Sequence, residues 1–319
     1  MFIALVTVAS TKGQQLPTAP ASFDVASIRP SRQEAEQHSN VPLDSGNVYA
    51  SVSAEDARTT AGGLLVATHQ PLWRYISFAY SLSGTQELAF RFSMFSGAPK
   101  SGAPRWVTGT FAGGADYFDI SARAPAETSI DQMRVMMQTL LADRFQLRTA
   151  WVTADTPVFA LALAKPGVTG PKLRSHTAAD ICEGSASAAS PQIRPHTGTL
   201  LSSDDLPSLC GVIARVPSAG VGQRYGGRAV PLSLLATSIP TMTGLAVVSR
   251  PVVDQTGLIG LYDFSLTWQH DVVGGDAAVS ENAANFHEAL KLQLGLELKS
   301  AHAPIRFLTI TSVERPADN

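Results

Sequence analysis

The segment from residue 254 to residue 263 holds the strongest candidates for a functional site in this sequence. Asp254 and Thr256 can hydrogen-bond the backbone of a turn, and Gly257 can adopt the positive φ that such a turn requires. Tyr262 and Asp263 follow in a β-prone run, where alternation sends their side chains to opposite faces. These five residues are predicted either to shape a β-hairpin or to present carboxylates to a ligand or partner, and the pattern favours the hairpin.

The two cysteines, Cys182 and Cys210, could form a disulfide. In an exported protein such a pair is expected to be oxidised, whereas in a reducing compartment both would be buried thiols. A bridge would contribute about 3 kcal/mol by restricting the unfolded chain, according to the loop-entropy model. It would also leave neither sulfur available as a catalytic nucleophile, because the attacking species is a free thiolate.

Other familiar catalytic and metal-binding patterns are absent from the sequence. The seven histidines are scattered, and His287-Glu288 is not followed by a second histidine at the spacing of a zinc-protease helix. There is no C-x-x-C pair, no G-x-S-x-G elbow and no S-x-x-K motif. The sequence therefore predicts no catalytic residue, no metal and no cofactor. A triad assembled from distant residues would not be visible in such spacings, so a hydrolase stays open as an alternative.

Composition limits the classes of partner. The 24 basic and 26 acidic side chains give a net charge of −2, which offers no reason to expect a nucleic-acid or anionic-membrane partner. Hydrophobic residues make up 45% of the chain, enough to bury a sizeable core, and 319 residues correspond to two domains or one large one.

The start of the chain resembles part of a secretory signal. Residues 1–10, MFIALVTVAS, are apolar and end in small residues, but the usual basic stretch before them is missing. The run is too short for a transmembrane helix, which needs about 20 residues. Residues 1–15 are predicted to be a signal-peptide remnant of an exported protein, periplasmic or secreted, whose mature chain has no transmembrane span. A short buried strand is the alternative.

The second half of the sequence repeats the order of elements found in the first. A Pro-Leu pair opens a helix in each half, a strand with a central aspartate follows, and a second helix and strand close the pattern. The matching pairs are Pro71-Leu72 with Pro231-Leu232, and Phe118-Asp119-Ile120 with Tyr262-Asp263-Phe264. The prediction is an α+β fold of two similar small units, 23–166 and 228–316, each a mixed or antiparallel sheet packed with two helices. Residues 167–227 are predicted to be a long, irregular Gly/Ser/Pro-rich connector. A single α+β sheet without duplication is the alternative.

Local signals place the boundaries of several elements. Ser129 is predicted to cap a helix that runs to about residue 144, and Ser83-Gly84 is predicted to end the helix that begins at Pro71. Residues 90–114, rich in glycine, proline and aromatic residues, are predicted to wrap over the core. Separate strands are predicted at 157–163, 296–298 and 305–311, and Pro240 is expected to kink or end its helix.

Four stretches resemble the soil-associated acidobacterial protein family, a domain of unknown function. They are residues 23–31 (FDVASIRPS), 140–147 (LLADRFQL), 252–264 (VVDQTGLIGLYDF) and 313–316 (VERP). The resemblance implies an exported protein without an established activity, and some related chains are fused behind a membrane metallopeptidase of the antibiotic-sensor type. The repeated pattern also resembles, more distantly, the short N-terminal domain of secretins and TonB receptors, which would imply an envelope interaction module.

Together these observations predict a non-enzymatic, exported module that binds a protein or polymer partner in the cell envelope or outside the cell. Sheet edges and glycine-rich loops would supply its contact surface. The alternatives are the hydrolase described above and a ligand-sensing domain that works with a separate membrane peptidase.

Overall fold

The computed structural model describes residues 21–32, 34–41, 43, 48–49, 61–93, 95–110, 113–180, 182, 184–185, 206–207, 209–216, 222–244, 246–269 and 285–316. The predicted signal-peptide remnant at residues 1–15 lies outside this part of the chain. Helices and strands both occur along it, so the fold is α+β, as the sequence predicts. Within the described residues, no helix has the length and apolar content that crossing a bilayer requires.

The elements are numbered in chain order. The strands are β1 (Val25–Pro30), β2 (His38–Ser39), β3 (Val48–Tyr49), β4 (Leu64–Pro71), β5 (Tyr117–Arg123), β6 (Arg148–Leu163), β7 (Leu173–Ser175), β8 (Gly184–Ser185), β9 (Leu209–Cys210), β10 (Val212–Arg215), β11 (Gln223–Val230), β12 (Val252–Asp254), β13 (Tyr262–Trp268) and β14 (Leu296–Ser312). The helices are α1 (Leu72–Tyr80), α2 (Gly84–Phe92), α3 (Arg105–Thr108), α4 (Ile130–Arg144), α5 (Leu232–Thr243) and α6 (Phe286–Ala289), which continues as a π-helical turn over Leu290–Leu294.

The strands form three larger sheets and one small pair. The first sheet has the order β1-β5-β4-β2, with antiparallel neighbours throughout. The second has the order β3-β10-β11-β13-β7, in which only the short β3–β10 pair is parallel among the described strands. The third places β6 between β12, which is parallel to it, and β14, which is antiparallel. Strands β8 and β9 pair in parallel.

Helices α1 and α4 pack with the first sheet and enclose a first core, formed by buried side chains of β1, β4, β5, α1 and α4. Ser129 caps α4 as predicted, because its side chain accepts from the Gln132 N–H while Gln132 Oε1 accepts from the Ser129 N–H. At the other end of α4, Phe145 is fully buried and meets Phe118 edge to face at 5.1 Å. The cap and this aromatic contact fix both ends of the helix on the sheet.

The second core is formed by buried side chains of β10, β11, β13, α5 and α6. Its centre is Trp268, which stacks on Tyr225 at 5.6 Å and meets Phe286 edge to face at 5.3 Å. Buried aromatic side chains of this size contribute strongly to stability, and the two geometries are those that aromatic rings prefer.

Strands β4 and β11 each carry a β-bulge immediately before a helix. In β4 the bulged residue His69 has φ 50°, and its N–H donates to Asp119 Oδ1 at 2.8 Å. In β11 the bulged residue Ala229 also has φ 50°, and its N–H donates to Asp263 Oδ1 at 2.8 Å. Positive φ is uncommon for residues other than glycine, so each carboxylate stabilises a backbone conformation that would otherwise be unfavourable.

A proline follows each bulge and begins the next helix, as the sequence predicts. Pro71 (φ −70°, ψ 150°) precedes α1, and Pro231 (φ −71°, ψ 147°) precedes α5. Proline is well suited to a helix start because its missing N–H would have no partner within the helix.

Strands β6 and β14 form one long antiparallel ribbon that reaches both cores. Their register runs from Leu296 opposite Leu163 to Ser312 opposite Arg148. Leu308 of β14 belongs to the first core, whereas Leu161 of β6 belongs to the second. The separate strands predicted at 157–163, 296–298 and 305–311 are therefore parts of two continuous strands.

Helices α2 and α5 also pack against each other. Thr85 Oγ1 donates to the Thr237 carbonyl at 3.2 Å, and a Cβ at Gly84 would overlap the side chain of Thr241. Gly84 therefore allows the two helices to approach closely, and this contact adds to the ribbon as a link between the two halves of the fold.

Several sequence-based expectations are corrected by these elements. Helix α1 ends at Tyr80, where Ser81 adopts φ 49°, so the stop lies before the predicted Ser83-Gly84, and Ser83 instead caps α2, which includes the start of the 90–114 region. Helix α5 continues three residues past Pro240. Strands β12 and β13 lie in different sheets, so residues 254–263 do not form the predicted β-hairpin. Strands β7, β9 and β10 and the start of β11 fall within 167–227, where little regular structure is expected.

Candidate functional site

Asp263 lies on an interior strand of the second sheet. Its strand, β13, runs between β11 and β7, and the register places Asp263 directly opposite Arg174 of β7. The Asp263 side chain is fully buried. A carboxylate in such a position needs several hydrogen-bond donors to offset the loss of water, so its partners indicate what it does.

Three donors surround the Asp263 carboxylate. Oδ1 accepts from the bulged Ala229 N–H at 2.8 Å and lies 2.9 Å from His176 Nδ1, while Oδ2 lies 2.8 Å from Arg174 Nη2. Asp263 thus holds the β11 bulge in place and, on the other side, orients an imidazole and a guanidinium. The carboxylate that the sequence singles out is therefore occupied by neighbours in its own sheet.

Arg174 bridges Asp263 to a second carboxylate, Asp180. Arg174 Nη1 lies 2.7 Å from Asp180 Oδ1, and Asp180 Oδ2 accepts from both the N–H and the hydroxyl of Thr177 at 2.8 Å. The hydrogen bonds from Arg174 and then from Thr177 lower the pKa of Asp180 well below its ordinary value. The segment after β7 is therefore tied to the sheet by its charged groups.

We expect the Asp180 carboxylate to stay ionised at about pH 3, where an ordinary aspartate, with a pKa of about 3.9, is mostly protonated. Because the pKa is lowered in the folded state, the tie to Arg174 and Thr177 is complete above the ordinary pKa and is lost only as pH falls through the lowered one. Side-chain carboxyl NMR shifts followed against pH measure this directly. An Arg174→Gln variant should return the Asp180 titration towards the ordinary range, and an unchanged titration would contradict the assignment.

The disulfide lies beside the same cluster. Cys182 and Cys210 are bonded, with their Cα atoms 5.6 Å apart, and His176 Nε2 lies 3.9 Å from Cys210 Sγ. His176 therefore contacts Asp263 through one ring nitrogen and Cys210 through the other.

Two sets of side chains here have the spacing of metal ligands. The ligand atoms of His176, Cys182 and Cys210 lie within 4.8 Å of one another, and so do those of His176, Asp180 and Asp263. The first set has the donor types that suit zinc only when both sulfurs are thiolates, a state that the disulfide excludes. In the second set, the carboxylates are already bound to Arg174 and to backbone donors. The arrangement as it stands is a hydrogen-bonded cluster.

Residues 255–261 connect β12 to β13 and are called the 255–261 loop; they include the predicted site residues Thr256 and Gly257, and Asp254 and Tyr262 flank them. Asp254 Oδ1 accepts from the Thr256 N–H at 2.9 Å and from its hydroxyl at 2.8 Å, and Thr256 Oγ1 accepts from the Leu258 N–H at 3.2 Å. The Tyr262 hydroxyl donates to the Ile259 carbonyl at 3.3 Å. These polar groups hydrogen-bond the loop itself.

Two glycines in positive φ complete the loop. Gly257 has φ 71° and Gly260 has φ 108°, conformations in which residues with a side chain are strained. Ile259, between the two glycines, is 95% exposed, and Leu261, after Gly260, is 46% exposed. The hydrogen bonds and the glycines together hold an isoleucine away from the protein surface.

A cavity of about 260 Å³ opens beside the Arg174–Asp263 ion pair. It is lined by Pro171, Lys172, Arg174, Leu206, Asp263, Phe264 and Ser265. Two of its side chains are cationic, and its volume is below the range of about 300–1,000 Å³ typical of small-molecule sites. The cavity is thus a small surface pocket beside the cluster.

Sequence reasoning selected Asp263 and the two cysteines but missed His176 and Arg174. His176 is 87 residues from Asp263 along the chain, and their contact exists because β7 pairs with β13. No local spacing in the sequence signals such a contact. The sequence offers one indication: Arg174 and His176 are two residues apart, the spacing that puts two side chains on the same face of a strand.

The chain was compared with known protein families and structures. A search of curated proteins and of solved structures found no match. The model of the family described as "Protein of unknown function (DUF3738)" matches residues 74–313. This match covers most of the chain, including β5 to β14 and the whole Asp263 cluster. The chain therefore belongs to the DUF3738 family of proteins of unknown function.

Proposed function

We propose that this protein is an exported, non-enzymatic binding module that contacts a protein partner in the cell envelope or extracellular space through the 255–261 loop. The observation that carries the proposal is the exposure of Ile259, at 95%, on a loop whose conformation is fixed by its own side chains. An exposed apolar side chain on a rigid loop loses little conformational entropy on binding, which favours affinity.

The polar residues near the loop support a binding role over a catalytic one. Asp254 and Thr256 hydrogen-bond the turn, and Tyr262 bonds the Ile259 carbonyl. Asp263 is bound to the β11 bulge and to neighbouring side chains. Each candidate thus has a structural partner, and together they position an apolar contact residue, which suits the buried centre of a protein interface because that centre is more apolar than the rest of the surface.

A duplicated architecture is part of the same proposal. We infer two similar α+β units at 23–166 and 228–316, joined through 167–227. The inference is supported by the matched bulges at His69 and Ala229, each with φ 50° and each bound to an aspartate on the neighbouring strand. Further support comes from the prolines that begin a helix directly after each bulged strand, Pro71 before α1 and Pro231 before α5.

Export, periplasmic or secreted, completes the proposal. Its support is the apolar leader at residues 1–10 and the oxidised cysteine pair, since stable disulfides form mainly outside the cytoplasm. The likeness to the soil-associated acidobacterial family implies the same location.

Site-specific photo-crosslinking tests the binding surface. A photoreactive residue at position 259 should give a crosslinked product with an envelope protein, whereas the same residue at Val168, which is 54% exposed, should give none. An untagged competitor with Ile259→Ser should fail to suppress the product, while wild-type competitor suppresses it. Because Ile259 is exposed, this substitution should change the free energy of unfolding by no more than about 0.5 kcal/mol.

Three results would overturn the proposed surface. Equal crosslinking from positions 259 and 168 would show that contact there is non-specific. A product of two copies of this chain would make the loop a self-association contact. Turnover in a panel of ester and peptide substrates that is unaffected by Ile259→Ser would favour the hydrolase alternative.

A further inference from the structure

The disulfide has a neighbour that a purely structural disulfide does not need. His176 Nε2 lies 3.9 Å from Cys210 Sγ, and His176 Nδ1 lies 2.9 Å from the buried Asp263 carboxylate. The order sulfur, imidazole, carboxylate is the arrangement that activates cysteine nucleophiles in enzymes, where the imidazole exchanges a proton with sulfur and the carboxylate orients the ring.

We propose that Cys182–Cys210 is a reactive disulfide that exchanges with thiols, with His176 as the proton donor and acceptor for Cys210 and Asp263 as the residue that positions His176. This site adjoins the 255–261 loop, where the His176 N–H donates to the Leu261 carbonyl at 2.8 Å, but it shares no side chain with the Ile259 contact, so different variants test the two proposals.

The contacts of Asp263 determine the tautomer of His176, that is, which ring nitrogen carries the hydrogen. Asp263 Oδ1 accepts from the Ala229 N–H, and Oδ2 is ion-paired with Arg174 Nη2 at 2.8 Å, so both oxygens face groups that carry hydrogens. Nδ1 of His176 therefore carries the hydrogen in the Nδ1–Asp263 contact, and in the neutral ring Nε2 is left as the acceptor towards Cys210. When the ring is protonated, the same Nε2 carries a hydrogen aimed at the sulfur.

The exchange can be written with atoms and electrons balanced for a dithiol as co-reactant. A thiolate of the dithiol attacks Cys182 Sγ, the Cys182–Cys210 bond breaks, and Cys210 leaves as a thiolate beside protonated His176 Nε2, which can transfer its proton to it. The second thiol of the co-reactant then attacks the mixed disulfide and releases Cys182. The co-reactant is oxidised to a disulfide, and this protein is reduced to Cys182 and Cys210 thiols by the same two electrons.

The surroundings suit such a reaction. Cys182, Cys210 and His176 are all partly exposed, so a thiol in solution can reach them. Among the described residues, the charged group that faces His176 is Asp263, at Nδ1. Arg174 pairs with Asp263, and Asp180 pairs with Arg174. The Asp263 carboxylate holds the ring through Nδ1, so Nε2 stays directed at Cys210 Sγ.

A single-cysteine variant tests the assignment. Cys182→Ser leaves Cys210 as a free thiol beside His176, and the same variant with His176→Gln added is the matched control, because Cys182 Sγ itself lies within 4.8 Å of a His176 nitrogen and cannot serve as one. Alkylation rates by iodoacetamide against pH should place the inflection for Cys210 at least 1 pH unit below the value of about 8.5 for a free thiol in Cys182→Ser, and near that value in the control. Equal inflections for the two variants would overturn the proposal.

The exchange itself is measured as the rate at which reduced glutathione opens the disulfide in the full chain, followed by mass spectrometry after quenching. His176→Gln should slow opening at neutral pH by at least 10-fold, since general acid–base groups contribute about 100-fold or more at their best. The control is His302→Gln, because His302 is 65% exposed and pairs only loosely with Asp155 at 3.4 Å. It should open at the wild-type rate.

Thermal unfolding of each variant separates this role from a structural one. If His176 only supported the fold, His176→Gln would lower the unfolding temperature and leave the pH inflection of Cys210 in the Cys182→Ser background unchanged. That result would contradict the proposal. A second pair of results would also contradict it: the reduced protein binds zinc tightly at 1:1, and reduced glutathione opens the wild-type disulfide no faster than it exchanges with the disulfide of oxidised glutathione. Cys182, Cys210 and His176 would then form a metal site.

Discussion

Replacing Asp263 with alanine should lower the free energy of unfolding by about 3 kcal/mol, the lower end of the cost of breaking a buried ion pair. The change removes the acceptor of the Ala229 N–H and the carboxylate that pairs with His176 Nδ1 and Arg174 Nη2, while Arg174 Nη1 keeps its contact with Asp180. The lower end applies because Arg174 is 50% exposed and can turn towards water. Urea denaturation followed by circular dichroism measures the difference.

Two further variants sharpen this test. Asp263→Asn keeps an oxygen for the bulge N–H but loses the charge, so its cost should lie between those of alanine and wild type. Asp254→Ala is the matched control, because its carboxylate holds only the turn at Thr256, and it should cost about 1 kcal/mol. If Asp263→Ala cost no more than Asp254→Ala, the central role of Asp263 in the second sheet would be wrong.

Truncating a buried aromatic side chain in either core should lower the temperature of one unfolding transition that the whole protein shares. Phe145→Ala in the first core and Trp268→Ala in the second each remove a large buried aromatic, and each should cost about 3–5 kcal/mol. Because the β6–β14 ribbon contributes Leu308 to one core and Leu161 to the other, we expect the two cores to unfold together. Differential scanning calorimetry should therefore show one peak in each variant, shifted to lower temperature.

The control for this pair is Trp151→Ala. Trp151 lies on the ribbon, is 38% exposed and stacks under the Arg306 guanidinium at 4.8 Å, so its loss should cost about 1 kcal/mol or less. Two separate calorimetric peaks, of which only one moves in each core variant, would contradict the coupling of the cores.

Local sequence signals predicted much of the fold correctly where one residue type decides one local geometry. The prolines at 71 and 231 begin helices because they fix φ and need no N–H partner, and Ser129 caps α4 through a side-chain acceptor. Such signals act within three or four residues, so they are visible in a sequence.

The errors arose where a residue has more than one use. Ser83-Gly84 reads as the end of a helix, yet Ser83 and Gln86 form a capping box that starts α2. Pro157 and Pro304 read as strand boundaries, yet both lie inside long strands, with Pro157 opposite His302 and Pro304 opposite Asp155 in the ribbon. Whether a missing N–H ends a strand depends on whether a partner strand faces that side, which is a tertiary property.

The site shows the same division between local and distant information. The turn hydrogen bonds of Asp254 and Thr256 were predictable from their positions around Gly257, although the hairpin was not correct. The contact of Asp263 with His176 was not predictable, because it follows from the pairing of β7 with β13 across 87 residues. Asp263 could thus be selected from the sequence, while its partners required the sheet.

The route of the ribbon has a consequence for the order in which this protein can mature. Leu308 and Ile310, near the end of the chain, are part of the same hydrophobic cluster as Leu65 and Leu72, more than 230 residues earlier. A ribosome that has made only the N-terminal half has therefore not yet supplied the residues that seal it, and contacts this distant in sequence form slowly. Vectorial folding, half by half during synthesis, is then disfavoured, and the first core closes only after β14 has been made.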